Sequence, residues 1–193
     1  MREVILASQS PRRQELLQRL VPSFSVQPAD IDESMNPEMT PEQAVCDLAR
    51  RKAQAIAQSH PQSLVIAADT IVVCQGKVLG KPHSEAEAAS MLRLLSGRDH
   101  QVMTGCTILY GDRVETFTEV TSLHFRPLSE KEIQKYVQSG EPMDKAGAYG
   151  IQGGAALFCE KLEGDYYNVM GLPVCRLYET LCRTAPEVME DTL

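Results

Sequence analysis

Apolar and polar positions along the chain follow two rhythms, and the switches between them predict most of the elements. Val4-Ile5-Leu6-Ala7 is continuously apolar and reads as a buried strand over Arg2–Ser8. Pro11–Leu20 places Leu16, Leu17 and Leu20 on one helical face, with Ser10 as cap and Pro11 at the first position. Phe24–Pro28 reads as a short second strand. Thr40–Gln58 is a longer amphipathic helix whose stripe includes Val45, Leu48, Ala49, Ala53 and Ile56. Thr40, Pro41 and Gln43 supply its cap, its start and its capping box. Leu64–Cys74 is rich in β-branched residues, and Gln75-Gly76 turns it back into Lys77–Leu79.

The second half has more hairpins. Ser84–Leu95 is a capped helix with Glu87 at the box position. Gln101–Tyr110 and Arg113–Phe125 pair across Gly111-Asp112. Ser129–Ser139 is a helix closed by Gly140. Ala155–Leu162 and Tyr166–Met170 read as a second hairpin across Glu163-Gly164-Asp165, and Leu172–Arg183 as the last helix. Residues 185–193 are polar and acidic and read as a frayed tail. Strands beside helices at both ends, with hairpins between, predict a single α/β domain over residues 1–184 built on a mixed sheet.

Composition narrows the chemistry. The chain has 193 residues, enough for one sizeable core. Its net charge is −7 and it contains no Trp, which argues against a nucleic-acid or anionic-membrane partner. No apolar run approaches the ~20 residues that span a bilayer. The six cysteines form no C-x-x-C and no zinc spacing, and read as buried, reduced thiols of a cytoplasmic protein. The four histidines are scattered, and His100 reads as structural.

Several local patterns could carry chemistry. In Ser8-Gln9-Ser10-Pro11-Arg12-Arg13 a strand ends, a helix begins and two guanidiniums follow, which suits an anion. Lys52 lies three and four residues from Ala49 and Leu48, on the inward stripe of its helix. Asp69 interrupts an otherwise apolar strand. A buried carboxylate needs a cation, a metal or N–H donors, so Asp69 is the leading candidate for a metal ligand or general base. Lys81 follows the short return strand in Gly80-Lys81-Pro82. Asp30-Ile31-Asp32-Glu33 offers oxygens to a hard cation. Asp144 through Gly154 carries four glycines, and Gln152 within it has an amide that could read a base edge. Each has a plain structural counterpart: a capped surface helix, a snorkelling lysine, a strand-end aspartate, a solvated loop, a glycine bulge. Together they match metal-assisted phosphoryl chemistry with charge clamping.

The segments Leu6–Arg13, Ala68-Asp69-Thr70-Ile71-Val72, Leu79-Gly80-Lys81-Pro82, Leu95-Ser96-Gly97-Arg98-Asp99-His100 and Asp144–Gly153 together resemble the Maf family, in its order and spacing. The resemblance implies an elongated mixed-sheet α/β fold of the Maf/inosine-triphosphatase type, with two lobes around a cleft. It also implies a cytoplasmic nucleoside triphosphate pyrophosphatase that cleaves between the α- and β-phosphates, and a homodimer. Arg12, Thr70 and Gln152 match the dTTP/UTP branch, where the sister branch carries Trp, Gln and Glu. By the same resemblance Asp69 activates water, and Ser8, Arg13, Lys52 and Lys81 hold the triphosphate. Glu33 and Asp69 hold Mg²⁺ or Mn²⁺, and Arg12, Thr70 and Gln152 select the base. A role in removing modified nucleotides and in cell-division arrest belongs to the same expectation. Two alternatives stay open: a non-catalytic nucleotide-binding regulator of septum formation, and a broad pyrophosphatase for modified nucleotides.

Overall fold

A computed structural model describes residues 3–189. Strand β1 (Val4–Leu6) is buried on both faces, as its unbroken apolar run requires. Helix α1 (Pro11–Leu17) follows on its Ser10 cap. Strand β2 (Ser25–Val26) is only two residues long. Helix α2 (Pro41–Ala57) carries the full Thr40/Gln43 capping box. It leads to the long strand β3 (Leu64–Cys74). Both β2 and β3 run parallel to β1, with Ile5 opposite Ser25 on one side and Val65 on the other. Parallel neighbours need a crossover, and α1 and α2 supply them.

Strand β4 (Lys77–Leu79) returns antiparallel along β3, with Val72 opposite Leu79 and Cys74 opposite Lys77. Gln75 and Gly76 both take positive φ, 50° and 73°, as a tight two-residue hairpin turn demands. After α3 (Glu85–Leu95) come β5 (Asp99–Tyr110), β6 (Arg113–Phe125) and α4 (Glu130–Gln138). The chain ends with β7 (Cys159–Glu163), α5 (Tyr166–Met170), α6 (Val174–Thr184) and α7 (Pro186–Met189). The open, mixed seven-stranded sheet has the order β2-β1-β3-β5-β6-β7, with β4 on β3. This is the α/β class expected.

The chain divides into two compact units. The first is Met1–Asp69, Thr104–Glu119 and Gly171–Leu193, and the second is Thr70–Met103 with Val120–Met170. In the first, Ala53 and Ile56 of α2 pack on Ile5, Ala7, Val65 and Ala67. Helix α2 also lies directly on β5: a Cβ at Gly105 would come 2.5 Å from the Val45 carbonyl oxygen. In the second unit the core is aromatic. Phe125 meets Tyr149 and Phe158 edge to face at 4.8 and 6.0 Å, and His100 sits 4.7 Å from Phe125.

Four sequence readings need correction. Tyr166–Met170 is a helix, not the return strand of a hairpin. The Asp165 carboxylate accepts from Tyr167 N at 2.7 Å and starts a helical turn. Asn168, buried, donates to the Val102 carbonyl and the Thr121 hydroxyl. The strand expected at Ala155–Leu162 is shorter, since Gly154–Leu157 is a 3₁₀ turn and β7 pairs antiparallel with β6. The thiols are not uniformly buried: Cys74 and Cys106 are, Cys175 is exposed, and Cys46, Cys159 and Cys182 lie between. At the C-terminus Ala185 is fully buried, and the helix α7 that follows buries Met189 and places the Glu187 carboxylate on the Tyr110 hydroxyl. The rest of the expected frayed tail, 190–193, lies outside the described residues, as does Arg2.

Candidate active site

The end of β1 delivers Ser8, which is buried. Its hydroxyl accepts from Ser10 N and from an Arg13 NH1, each at 3.2 Å. Ser10 in turn caps α1 by accepting from Arg13 N at 3.4 Å. Arg13 spends its Nε on the Gly171 carbonyl at 2.8 Å. Ser8 and Arg13 therefore hold each other, with the guanidinium fixed at two of its edges. Burial lowers the Arg13 pKa, and the Asp69 charge is the strongest influence opposing it.

The centre of the site is Lys52. It sits on the buried stripe of α2 with a side chain only 10% exposed, as its spacing predicts. Its Nζ lies 2.7 Å from Asp69 Oδ1 and 2.8 Å from Glu33 Oε1. Asp69, 14% exposed, is the carboxylate that interrupts β3, so the partner that its burial demanded is this ammonium. Glu33 is 59% exposed and arrives from the loop before α2.

The acidic run Asp30–Glu33 is thus divided. Glu33 reaches Lys52, whereas the Asp32 carboxylate is taken by Ser34, which donates its N–H at 2.9 Å and its hydroxyl at 2.7 Å. Those two bonds hold the Asp32 pKa below its ordinary value. The residue that sequence reasoning missed is Arg51. Its NH1 and NH2 donate to the carbonyls of Asp32 and Ser34 at 2.6 and 2.8 Å, while its Nε meets Asp47 at 2.8 Å. An arginine off the apolar stripe reads as solvated, and backbone acceptors leave no mark in a sequence.

Among the described residues no group of three or more His, Cys, Asp or Glu side chains is gathered for a metal ion. Glu33 and Asp69 are two carboxylates that converge on one positive atom. Mg²⁺ is commonly held by one or two carboxylates together with substrate phosphates, and this pair fits that share.

The remaining candidates lie elsewhere on the chain. Arg12 is half-buried in the first turn of α1. Thr70, Lys81 and Gln152 belong to the second compact unit. Thr70 is half-buried on β3, and Lys81 is exposed after β4. The Gly80 carbonyl accepts from Gly147 N at 3.0 Å, which ties the Lys81 segment to the glycine stretch. Gln152 is exposed on that stretch. There Glu141 accepts from the Tyr136 hydroxyl at 2.8 Å and from Gly154 N at 3.0 Å, and Lys145 Nζ donates to the Glu141 carbonyl at 2.6 Å. His100 carries no site chemistry. It is buried, shares a hydrogen bond with the Tyr149 hydroxyl at 2.9 Å, and burial pulls its pKa down to about 4. No helix of the described residues is long and apolar enough to cross a membrane.

The sequence and the fold have counterparts among known proteins. The dTTP/UTP pyrophosphatase of Geobacillus sp. (strain WCH70) is 53% identical over 176 residues, covering 91% of this chain and 95% of that protein. The dTTP/UTP pyrophosphatase of Halalkalibacterium halodurans is 51% identical over 181 residues, or 94% of this chain and 95% of its own. In fold, a HAM1 protein from Coxiella burnetii superposes with a TM-score of 0.55 at 16% identity, over 95% of this chain and 100% of that one. The family model described as Maf-like protein matches residues 3–184, from the strand that presents Ser8 to the end of α6. A match of that extent, with relatives sharing about half their residues along nearly the whole of both chains, means that the chain belongs to the Maf family.

Proposed function

We propose that this protein is a nucleoside triphosphate pyrophosphatase that converts dTTP and UTP to the monophosphate and pyrophosphate. The observation that supports the chemistry most is Lys52 Nζ between Asp69 and Glu33. A buried cation beside two carboxylates is suited to a polyphosphate brought in with a divalent ion. A purely structural pair would need neither the second carboxylate nor its exposure. The substrate assignment draws on the relatives named dTTP/UTP pyrophosphatase.

In this reading Asp69 accepts the proton of the attacking water. Lys52 holds the Asp69 carboxylate in place and carries positive charge toward the phosphates. Ser8 and Arg13 offer a hydroxyl and a forked cation to the same anion. Glu33 and Asp69 would hold Mg²⁺ or Mn²⁺, whose chemistry when bound is to offset phosphate charge and polarise the anhydride. The roles of Lys81 toward phosphate, and of Arg12, Thr70 and Gln152 toward the base, rest on the sequence resemblance.

The test is pyrophosphate release from dTTP, UTP and the purine triphosphates by purified protein with Mg²⁺ or Mn²⁺. We expect the two pyrimidine substrates to be faster, and Asp69→Asn to abolish turnover while the protein stays folded by circular dichroism. Equal rates for all bases would remove the specificity, and an active Asp69→Asn enzyme would remove the assigned base.

A further inference from the structure

Arg51 stands on α2 one position before Lys52, and the two residues act on the same short loop from adjacent positions of the helix. The guanidinium makes three directed bonds: to Asp47 Oδ2 at 2.8 Å, to the Asp32 carbonyl at 2.6 Å and to the Ser34 carbonyl at 2.8 Å. The two carbonyls bracket Glu33. The turn between them is also closed on itself, because Ser34 donates its N–H and its hydroxyl to the two oxygens of Asp32. Glu33 has a side chain 59% exposed, so burial does not fix it. An exposed carboxylate on a free loop gains little from a lysine, since ordering both side chains offsets most of the attraction. Fixing the backbone first removes much of that cost.

We propose that Arg51 is a positioning residue that clamps the 32–34 backbone and thereby holds the Glu33 carboxylate on Lys52, with Asp47 orienting the guanidinium. The activity arm of this proposal rests on the pyrophosphatase reading above. A lysine at position 51 cannot substitute, because an ammonium lacks the planar fork that reaches two carbonyls and a carboxylate together.

Four variants decide it: Arg51→Ala, Arg51→Lys, Glu33→Gln and Arg51→Ala/Glu33→Gln. Hydrogen–deuterium exchange reads the loop, and pyrophosphate release from dTTP across a Mn²⁺ titration reads the site. We expect Arg51→Ala to speed amide exchange over residues 32–34 about tenfold or more, with Glu33→Gln exchanging as the wild type does. Arg51→Ala should lower turnover or raise the Mn²⁺ requirement about 10–100-fold, the range for residues that orient a ligand. Arg51→Lys should fall nearly as far, and adding Arg51→Ala to Glu33→Gln should cost less than about threefold more. Wild-type exchange in Arg51→Ala overturns the clamp. So does a loss from Arg51→Ala that is equally large with and without Glu33, or full activity in Arg51→Lys. If the wild-type protein releases no pyrophosphate, the pyrophosphatase reading fails by itself, and the exchange arm still decides the clamp.

Discussion

Lys52 Nζ lies 2.7 Å from Asp69 Oδ1, and the bond joins the two polar residues that most conspicuously break an apolar pattern, one on α2 and one on β3. Neither could be buried alone. With Glu33 2.8 Å away, one ammonium bridges two carboxylates, and the trio keeps a net negative charge that a divalent cation would offset.

Lys52→Met should therefore destabilise the protein although it swaps a charged side chain for an apolar one of similar length. Removing one partner of a fully buried pair costs about 3–5 kcal/mol. The exposure of Glu33 moderates this, so we expect about 2 kcal/mol by urea unfolding. Lys52→Met/Asp69→Asn should recover at least half of the loss, because no uncompensated buried carboxylate is left. Strictly additive costs would show that the pair is not coupled. Both variants should be inactive.

Gly105 sets how closely α2 approaches β5. A Cβ there would stand 2.5 Å from the Val45 carbonyl oxygen and 2.8 Å from Cys46 N, both backbone atoms that cannot rotate away. Gly105→Ala should cost about 3 kcal/mol, at the upper end of overpacking, and should disturb the helix that carries Lys52. Gly80→Ala, whose Cβ meets nothing within 4 Å, is the control and should shift the thermal midpoint little. Similar midpoints for the two variants would contradict the close approach.

The sequence made Lys52 and Asp69 visible because each is a polar residue inside a regular apolar period, so each raises the question of a partner. The caps of α2 and α3 were visible in the same way, since a Thr or Ser followed three residues later by Gln or Glu is a local pattern. What stayed hidden depends on distant or patternless partners. Arg51 bonds backbone carbonyls 17 and 19 residues away. Helix α5 is five residues long, too short to establish a 3.6-residue period. It is held by Thr121, whose hydroxyl donates to the Asp165 carbonyl and accepts from Asp165 N and Asn168 Nδ2. Helix α7 lies in a polar stretch, and its Glu187 carboxylate is bonded by the Tyr110 hydroxyl, 77 residues earlier.

His100 gives the protein a pH dependence of known sign. Burial lowers its pKa from 6.5 to about 4. The unfolded chain takes up a proton below pH 6.5, and the folded chain does not until about pH 4. The stability held by the neutral imidazole is thus complete above pH 6.5 and is lost as pH falls toward 4, by about 3 kcal/mol at most. His100→Leu removes this titration but leaves the Tyr149 hydroxyl without its partner. It should be less stable than the wild type at pH 7.5, and the gap should narrow steadily in urea titrations at pH 5.5 and 4.5. A gap that stays constant would show that His100 does not titrate in this window.

Gln152 offers the last prediction, because its loop is built on a single carboxylate. Glu141 accepts from the Tyr136 hydroxyl and from Gly154 N, and a Cβ at Gly153 would fall 2.1 Å from Glu141 Oε1. Gly153→Ala must push Glu141 off one of these bonds or lift the loop. It should lower stability by about 1–3 kcal/mol and reduce kcat/KM for dTTP about tenfold or more, a loss of loop placement. Gln152→Glu changes the chemistry without the packing, since a carboxylate accepts hydrogen bonds but cannot donate them. It should keep the wild-type thermal midpoint and lower the rate with dTTP and UTP relative to purine triphosphates. The two variants separate position from identity: Gly153→Ala changes both stability and rate, whereas Gln152→Glu changes only base preference. An unchanged midpoint and rate in Gly153→Ala would mean that Glu141 does not hold this loop. An unchanged base ratio in Gln152→Glu would mean that the amide does not read the base.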